Sequence, residues 1–158
     1  MSHIPQEGHS APDIAVSDDG GAPFRLSSLR GKKVVLYFYP KADTPGCTVE
    51  ACEFRTYISD FDSVDTVVLG ISPDGSSEVA AFRDKFSLPF KLLADSQHQA
   101  AEAYGVWKER TIEGKKMMAV ERTTYIIDED GIIRKIFRNV RPEGHASDVY
   151  NALREHQA

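Results

Sequence analysis

The most prominent pattern along the chain is a continuous apolar run at residues 34–39, rich in β-branched and aromatic side chains, which stops at Pro40. Such a run is typical of a strand that is buried on both faces of a sheet. A second run of this kind occupies residues 66–71, and a shorter one occupies residues 90–93. The pattern therefore predicts the central strands of a buried sheet.

Apolar residues recur at three- and four-residue steps between positions 47 and 61, which is the spacing of an amphipathic helix. A second helix is predicted at residues 76–86, where a serine can cap the first turn. A third is predicted at residues 96–104, which Gly105 closes, and a terminal helix is predicted at residues 146–155.

Residues 128–131 have the sequence Asp-Glu-Asp-Gly and separate two apolar runs, at residues 123–127 and 132–137, so that a β-hairpin is predicted there. Strands that alternate with helices, followed by a hairpin and a last helix, are typical of an α/β fold. We therefore expect a mostly parallel central sheet with helices on both faces and a C-terminal hairpin plus helix. A single domain is expected over residues 1–158, with an irregular arm at about residues 1–20, which are polar and glycine-rich.

The charge of the chain is mildly acidic, with 19 basic and 24 acidic residues and a formal net charge of −5. Nucleic acid is not expected as a partner, because phosphate binding needs clustered lysines and arginines. No apolar run approaches the roughly 18 residues of a membrane span, and the first residues lack the features of a signal peptide. The sequence therefore predicts a cytoplasmic protein without a membrane partner.

Cys47 and Cys52 are the only cysteines. In a reducing compartment, a close pair is more often catalytic, redox-sensing or metal-binding than a static disulfide. Cys47 follows the loop at residues 40–46, which leaves the first buried strand, and reactive groups in such sheets gather beyond the carboxyl ends of strands. Pro45 and Gly46 can open a helix and leave Cys47 in its first turn, where unpaired N–H groups and the helix dipole favour a thiolate.

Pro40, Thr44 and Cys47 form the pattern Pro-x-x-x-Thr-x-x-Cys, which resembles the active-site signature of the peroxiredoxins. The longer stretch at residues 44–55, Thr-Pro-Gly-Cys-Thr-x-Glu-Ala-Cys-x-Phe-Arg, is similar to the bacterioferritin-comigratory-protein (PrxQ) branch of that family. The segment Tyr-Gly-Val-Trp and the segment Arg-Thr-Thr-Tyr-Ile-Ile-Asp, which begins at Arg122, extend the resemblance over nearly the whole chain.

The resemblance implies a thioredoxin-like fold, hydroperoxides as substrates, and no metal or organic cofactor. It also implies a thioredoxin-type thiol reductant as the partner and a monomeric state. By the resemblance, Cys47 is the peroxidatic cysteine, and Cys52 matches a cysteine that resolves the resulting sulfenic acid as an intramolecular disulfide. Some relatives resolve from a later helix, but this sequence has no third cysteine.

The resemblance further implies that Thr44 and Arg122 polarise the peroxide and the thiolate, and that Pro40 and Gly46 line the substrate pocket. A drop in a thiol pKa from about 8.5 to about 6 raises the thiolate fraction at pH 7 about 30-fold, but lowers nucleophilicity about 13-fold. The larger part of the rate must therefore come from donors aimed at the leaving oxygen. Candidates are the Thr44 hydroxyl, the backbone N–H groups near Gly46 and Cys47, and an arginine.

Other interpretations of these residues stay open at this point. Cys47 could be a small buried hydrophobic residue and Arg122 a surface charge, while Glu50 could orient an arginine or merely complement the helix dipole. A thiol–disulfide reductase would use Cys-x-x-Cys, whereas four residues separate Cys47 from Cys52 here. A non-catalytic redox sensor would be oxidised once and not recycled. A zinc site is not favoured, because the five histidines have no metal-ligand spacing with the cysteines.

Overall fold

The computed structural model describes residues 4–155. Its strands and helices, in chain order, are β1 Ala15–Asp18, β2 Pro23–Arg25, β3 Lys33–Phe38, α1 Pro45–Thr56, α2 Ile58–Ser63, β4 Thr66–Ser72, α3 Ser76–Lys85, β5 Lys91–Ala94, α4 Gln99–Ala103, β6 Trp107–Ile112, β7 Lys115–Val120, β8 Thr123–Ile127, β9 Ile133–Phe137 and α5 His145–Glu155. A single 3-10 turn at Leu26–Leu29 joins β2 to the segment before β3.

The main sheet has the strand order β2-β1-β5-β4-β3-β8-β9. The three apolar runs of the sequence form its centre, where β3 pairs with β4 and β4 with β5 in parallel. The other four pairings are antiparallel, so the sheet is mixed and the expectation of a mostly parallel sheet is wrong. On one side of the parallel centre, β8 lies beside β3 and runs in the opposite direction, and β9 pairs with β8 as a hairpin. On the other side, β1 runs antiparallel to β5 and to β2.

Helices cover both faces of this sheet, as the sequence predicts. Helices α1, α2, α3 and α5 bury apolar side chains on one face, and α4 with the 3-10 turn does so on the other. Removal of this apolar surface from water is the main favourable contribution to folding. In the described part of the chain, no helix is long and apolar enough to cross a membrane.

The arm expected to be irregular contains an ordered strand, so this expectation is wrong for β1. This strand pairs with both β2 and β5, and the preceding Ile14 is 2% exposed. Asp18 Oδ1 accepts hydrogen bonds of 2.9 Å from the amides of Gly20 and Ala22, which closes a tight turn before β2. Gly21 has φ of 78°, which glycine tolerates best. A four-residue strand next to such a turn lacks the length that makes a pattern recognisable.

A second hairpin, β6–β7, was not predicted. It forms a separate two-stranded sheet with mostly exposed side chains, so it lacks the apolar alternation from which strands are recognised. Glu113 and Gly114 both have positive φ at its tip, as a tight hairpin turn requires. The predicted first helix is also divided, since α1 ends before Tyr57 and α2 continues from Ile58.

Candidate active site

Cys47 lies in the first turn of α1, which begins directly beyond the carboxyl end of β3. Thr44 is the residue that precedes the helix, Pro45 is its first residue, and the Thr48 amide makes a helical hydrogen bond of 2.8 Å to the Thr44 carbonyl. The proline has no N–H to leave unpaired there, which suits it to this position. Cys47 is 1% exposed. The sequence-based prediction of a cysteine at a helix start after a strand-terminal loop is confirmed.

Arg122 lies between β7 and β8, and its guanidinium contacts two side chains of α1. Its Nη2 donates to Cys47 Sγ at 3.4 Å, and its Nη1 donates to Glu50 Oε1 at 2.7 Å. The Arg122 carbonyl accepts a hydrogen bond of 2.9 Å from the Val140 amide, which fixes the backbone at this point. The positive charge of the guanidinium therefore lies next to the cysteine sulfur, although 75 residues separate the two in sequence.

Gly46 leaves the space that the guanidinium occupies. A Cβ at this position would lie 3.3 Å from Arg122 Nη2 and 3.5 Å from Pro142 Cγ. The first of these distances is shorter than ordinary van der Waals contact, so an alanine would push on the guanidinium. The absent side chain of Gly46 thus fits the close approach of Arg122 to Cys47.

Glu50 is the site residue that the sequence left undecided. Its carboxylate has an exposure of 0%, and Oε1 pairs with Arg122, while Oε2 has no hydrogen-bond partner among the described residues. Burial raises the pKa of Glu50, and attraction to Arg122 acts in the opposite direction, which leaves the pKa at about 7. The only signal in the sequence is its spacing, since residues three apart share one side of a helix.

Burial lowers the pKa of Arg122, but the charges of Glu50 and Cys47 outweigh burial and raise this pKa above its ordinary value. The guanidinium therefore stays positively charged while its side chain is 14% exposed. The site therefore contains a permanent and largely buried positive charge.

Tyr37 on β3 and Tyr39, the residue directly after this strand, belong to the buried cluster that holds Cys47. Their hydroxyls have no hydrogen-bond partner in the described part of the chain, and burial is the main cause that raises the pKa of both phenols. The Ser72 hydroxyl, beside Tyr39, donates instead to Asp74 Oδ2 at 2.8 Å. Gly70 makes room for the other ring, because a Cβ there would lie 2.8 Å from Tyr37 Oη. The sequence reveals these residues only as parts of a buried strand.

Thr44 and Pro40 border the cysteine loop and are half-buried. The Thr44 hydroxyl donates to the Lys41 carbonyl at 3.0 Å, so its proton is engaged within the loop rather than on the sulfur. The hydroxyl oxygen keeps its lone pairs free to accept a hydrogen bond from a bound molecule.

Cys52 is half-buried on α1, and both cysteines are free thiols. On a regular helix, five residues give about 7.5 Å of rise and a net rotation of about 140°, which places the two Cα atoms roughly 8.7 Å apart. A disulfide requires a Cα separation below about 7 Å. The intact α1 is therefore the geometry of the reduced protein.

His145 supports the site from α5. A hydrogen bond of 2.7 Å joins its Nε2 to Thr124 Oγ1, and its ring packs edge-on against Phe54 and Phe137. Burial lowers the pKa of His145 to about 4, and the positive charge of Arg122 acts in the same direction. The ring is therefore neutral at physiological pH. The sequence shows it only as one of five scattered histidines.

Known proteins resemble this chain in sequence and in fold. The model of the AhpC/TSA family matches residues 8–136. A peroxiredoxin Bcp of Bacillus subtilis is 43% identical over 148 residues, which cover 94% of this chain and 94% of that protein. A mutant of PrxQ from Xylella fastidiosa superimposes over 100% of both chains with a TM-score of 0.93 and 31% identity.

A further solved structure is the bacterioferritin comigratory protein of Xanthomonas campestris, which is described as reducing alkyl peroxides. It matches 92% of each chain with a TM-score of 0.87 and 32% identity. These structures confirm the predicted α/β, thioredoxin-like fold class. Since the family model matches most of the chain and relatives align along nearly all of it, the chain belongs to the AhpC/TSA family, in its Bcp/PrxQ branch, and is an enzyme of the peroxiredoxin type.

Proposed function

We propose that this enzyme reduces hydrogen peroxide and organic hydroperoxides to water or alcohols through Cys47, with Cys52 as the resolving cysteine and a thioredoxin-type dithiol as the reductant. The observation that carries the proposal is the 3.4 Å contact between Arg122 Nη2 and Cys47 Sγ. A cationic neighbour favours the thiolate, which is the nucleophilic form of cysteine. The alkyl peroxide activity of the Xanthomonas campestris relative supports organic hydroperoxides as substrates.

In the first step, the Cys47 thiolate attacks the terminal oxygen of the hydroperoxide. A sulfur–oxygen bond forms, the oxygen–oxygen bond breaks, and the departing alkoxide or hydroxide takes up one proton. Arg122 and the backbone N–H groups at the start of α1 can stabilise the negative charge that grows on the leaving oxygen. The Thr44 hydroxyl donates its proton to the Lys41 carbonyl, so its oxygen can accept a hydrogen bond from the hydroperoxide and orient it.

In the second step, the Cys52 thiol attacks the sulfenic acid on Cys47, which forms a disulfide and releases water. The intact α1 keeps the two residues too far apart for this bond. The helix must therefore unwind between them. In the third step, two thiols of the reductant are oxidised to a disulfide while both cysteines return to thiols, and α1 can wind again.

A steady-state assay with thioredoxin, thioredoxin reductase and NADPH tests this cycle against several hydroperoxides. We expect NADPH consumption that requires the enzyme, and none above background for Cys47→Ser. Cys52→Ser should consume one equivalent of peroxide and then stop, since its sulfenic acid has no internal partner. Full turnover by either variant would contradict the assigned roles. The monomeric state and the cytoplasmic location stay predictions, the first of which light scattering can test.

A further inference from the structure

The active site contains one cation and two groups that can each carry a negative charge. Arg122 contacts both Cys47 Sγ and Glu50 Oε1, and all three side chains lie almost entirely out of water. A buried charge without a partner is strongly unfavourable. One guanidinium can balance one anion, so a thiolate and a carboxylate compete for it.

The second oxygen of Glu50 suits the protonated form of the carboxyl. Oε1 can accept a hydrogen bond from Arg122 whether or not the carboxyl is ionised. Oε2 is buried and has no partner among the described residues, so a proton on this oxygen would remove a negative charge that no contact of this oxygen balances. The hydroxyls of Tyr37 and Tyr39 are likewise buried without a partner among the described residues, and the charge of Glu50 raises the pKa of both phenols.

The titratable and charged groups around this carboxyl come from every element packed against it. They are Cys47 and Glu53 on α1, Tyr37 on β3 and Tyr39 directly after it, Arg122 between β7 and β8, and His145 on α5, which faces the arginine. Among these described groups, Arg122 is the one permanent cation, since His145 is neutral. Glu53 is only half-buried and accepts a hydrogen bond from the Gly144 amide. Among the groups at the arginine itself, one positive charge therefore faces two acidic groups, Cys47 and Glu50.

We propose that Cys47 and Glu50 share a single proton, so that Glu50 is a neutral carboxylic acid whenever Cys47 is a thiolate. The inference rests on the proposed function, because it assigns the fate of the proton that the Cys47 thiol loses. When the thiol ionises, its S–H bond breaks and an O–H bond forms at Glu50. When the thiolate becomes a sulfenic acid, its charge disappears, and Glu50 gives the proton up to the departing alkoxide and pairs with Arg122 as a carboxylate.

This exchange balances charge and atoms at each stage. Thiolate, protonated Glu50 and hydroperoxide become sulfenic acid, Glu50 carboxylate and alcohol, with no net change in charge. Because burial raises the pKa of Glu50 to about 7, its carboxyl can hold or release a proton near neutral pH without a large cost. Glu50 thus supplies the proton that the leaving oxygen takes up, and it keeps Arg122 paired with one negative charge throughout the cycle.

Infrared spectroscopy of the reduced enzyme tests the shared proton directly. A protonated carboxyl has a carbonyl stretch separate from carboxylate bands, and Glu50→Gln identifies it by its loss. We expect the band in reduced wild type at neutral pH. In Cys47→Ser no thiolate competes, so the pH midpoint of the band should fall by about one unit or more, a tenfold loss of proton affinity. Cys47→Ala serves as a second variant if the serine form does not fold.

An unchanged midpoint in both Cys47 variants, or no band in the reduced wild type, would overturn the shared proton. A separate measurement keeps this outcome distinct from failure of the proposed function. Mass spectrometry after one equivalent of hydrogen peroxide shows whether Cys47 is oxidised. Normal oxidation with an immobile carboxyl band would refute the inference alone. An absence of oxidation at Cys47 would refute the proposed function, whatever the band does.

Discussion

At the scale of single residues, Arg122 contacts the nucleophile Cys47 through one guanidinium nitrogen and Glu50 through the other. Arg122→Met removes the charge and both hydrogen bonds while it keeps most of the apolar stem. We expect the second-order rate constant with hydrogen peroxide to fall on the order of 100-fold or more, as when a single transition-state donor is lost. Stopped-flow measurement of the oxidation of reduced enzyme gives this rate.

The matched control is Arg110→Met, because Arg110 is exposed on β6 and takes no part in the site. It should retain the wild-type rate. Equal loss in both variants would assign the effect to the net charge of the protein rather than to the site. Arg122→Lys should recover little of the rate, because an ammonium group is a point charge and cannot present two donors as a fork.

Gly46→Ala tests the close approach of the arginine. The added methyl group meets Arg122 Nη2 at 3.3 Å, so the guanidinium must shift by a few tenths of an ångström. We expect a loss of about tenfold in the peroxide rate with little change in stability, since small displacements of catalytic groups are costly. In the Arg122→Met background the same substitution should cost almost nothing. A full additional loss there would show that Gly46 acts by another route.

How much of the site the sequence could reveal differs from residue to residue. Cys47 follows from strand, loop and helix signals, whereas Arg122 follows only from the family resemblance, because no local pattern links residues 75 positions apart. Glu50 could not be decided, since its role depends on burial and on which arginine reaches it. Tyr37 and Tyr39 were equally hidden, because a sequence does not show whether a buried hydroxyl has a partner.

At the scale of elements, the two halves of α1 are held differently. The half after Cys52 is anchored, since Glu53 Oε1 accepts from the Gly144 amide at 2.8 Å and Arg55 donates to the Phe86 carbonyl. The fully buried Phe54 also stacks on a strand residue. Among residues 4–155, the half from Pro45 to Cys52 makes no comparable side-chain hydrogen bond to the rest of the protein except the Arg122 contacts. Unwinding for a disulfide should therefore stop at Glu53.

Hydrogen exchange can locate this boundary. If carbonyls 44–52 leave the helix, the amides of residues 48–56 lose their acceptors and should exchange faster in the disulfide form. The Tyr57 amide, which bonds to the Glu53 and Phe54 carbonyls, should keep its protection. Peroxide-treated Cys52→Ser, which cannot form the disulfide, is the control and should resemble reduced wild type. Equal protection in the reduced and disulfide wild type would mean that α1 does not unwind.

The elements that the sequence missed share one physical cause. Strands β1, β6 and β7 are short or lie with most side chains in solvent, so burial leaves no periodic trace in their residues. Central strands, buried on both faces, were recognisable by composition alone. The direction of β8 relative to β3 was not, because a strand has the same pattern of side chains in either direction.

At the scale of the whole molecule, His145 ties the stability of the fold to pH. Its pKa is lowered from 6.5 to about 4, so the folded protein binds fewer protons than the unfolded chain between these values. The stability that this neutral ring contributes is present above about pH 6.5 and is lost as pH falls through about 4. A shift of this size corresponds to about 3 kcal/mol at most. The raised pKa of Glu50 has the opposite effect, with stability lost as pH rises from 4.5 through about 7.

Urea unfolding of a His145 variant at several pH values isolates the contribution of this histidine. We expect urea unfolding of wild type and His145→Gln to show a difference in stability that shrinks as pH falls from about 6.5 to 4. His9→Gln, at an exposed histidine, is the control and should follow wild type throughout. A constant difference between His145→Gln and wild type at all pH values would show that His145 contributes packing alone.

The placement of both cysteines on α1 has a kinetic consequence for the proposed cycle. The first turns of α1 cannot be helical, as the peroxide pocket requires, and at the same time unwound, as the disulfide that the reductant attacks requires. Peroxide and reductant therefore never occupy the enzyme together, and each half-reaction must finish before the other begins. Turnover should follow a substituted-enzyme scheme, in which double-reciprocal plots at different reductant concentrations are parallel lines. One helix thus imposes the order in which the enzyme meets its two substrates.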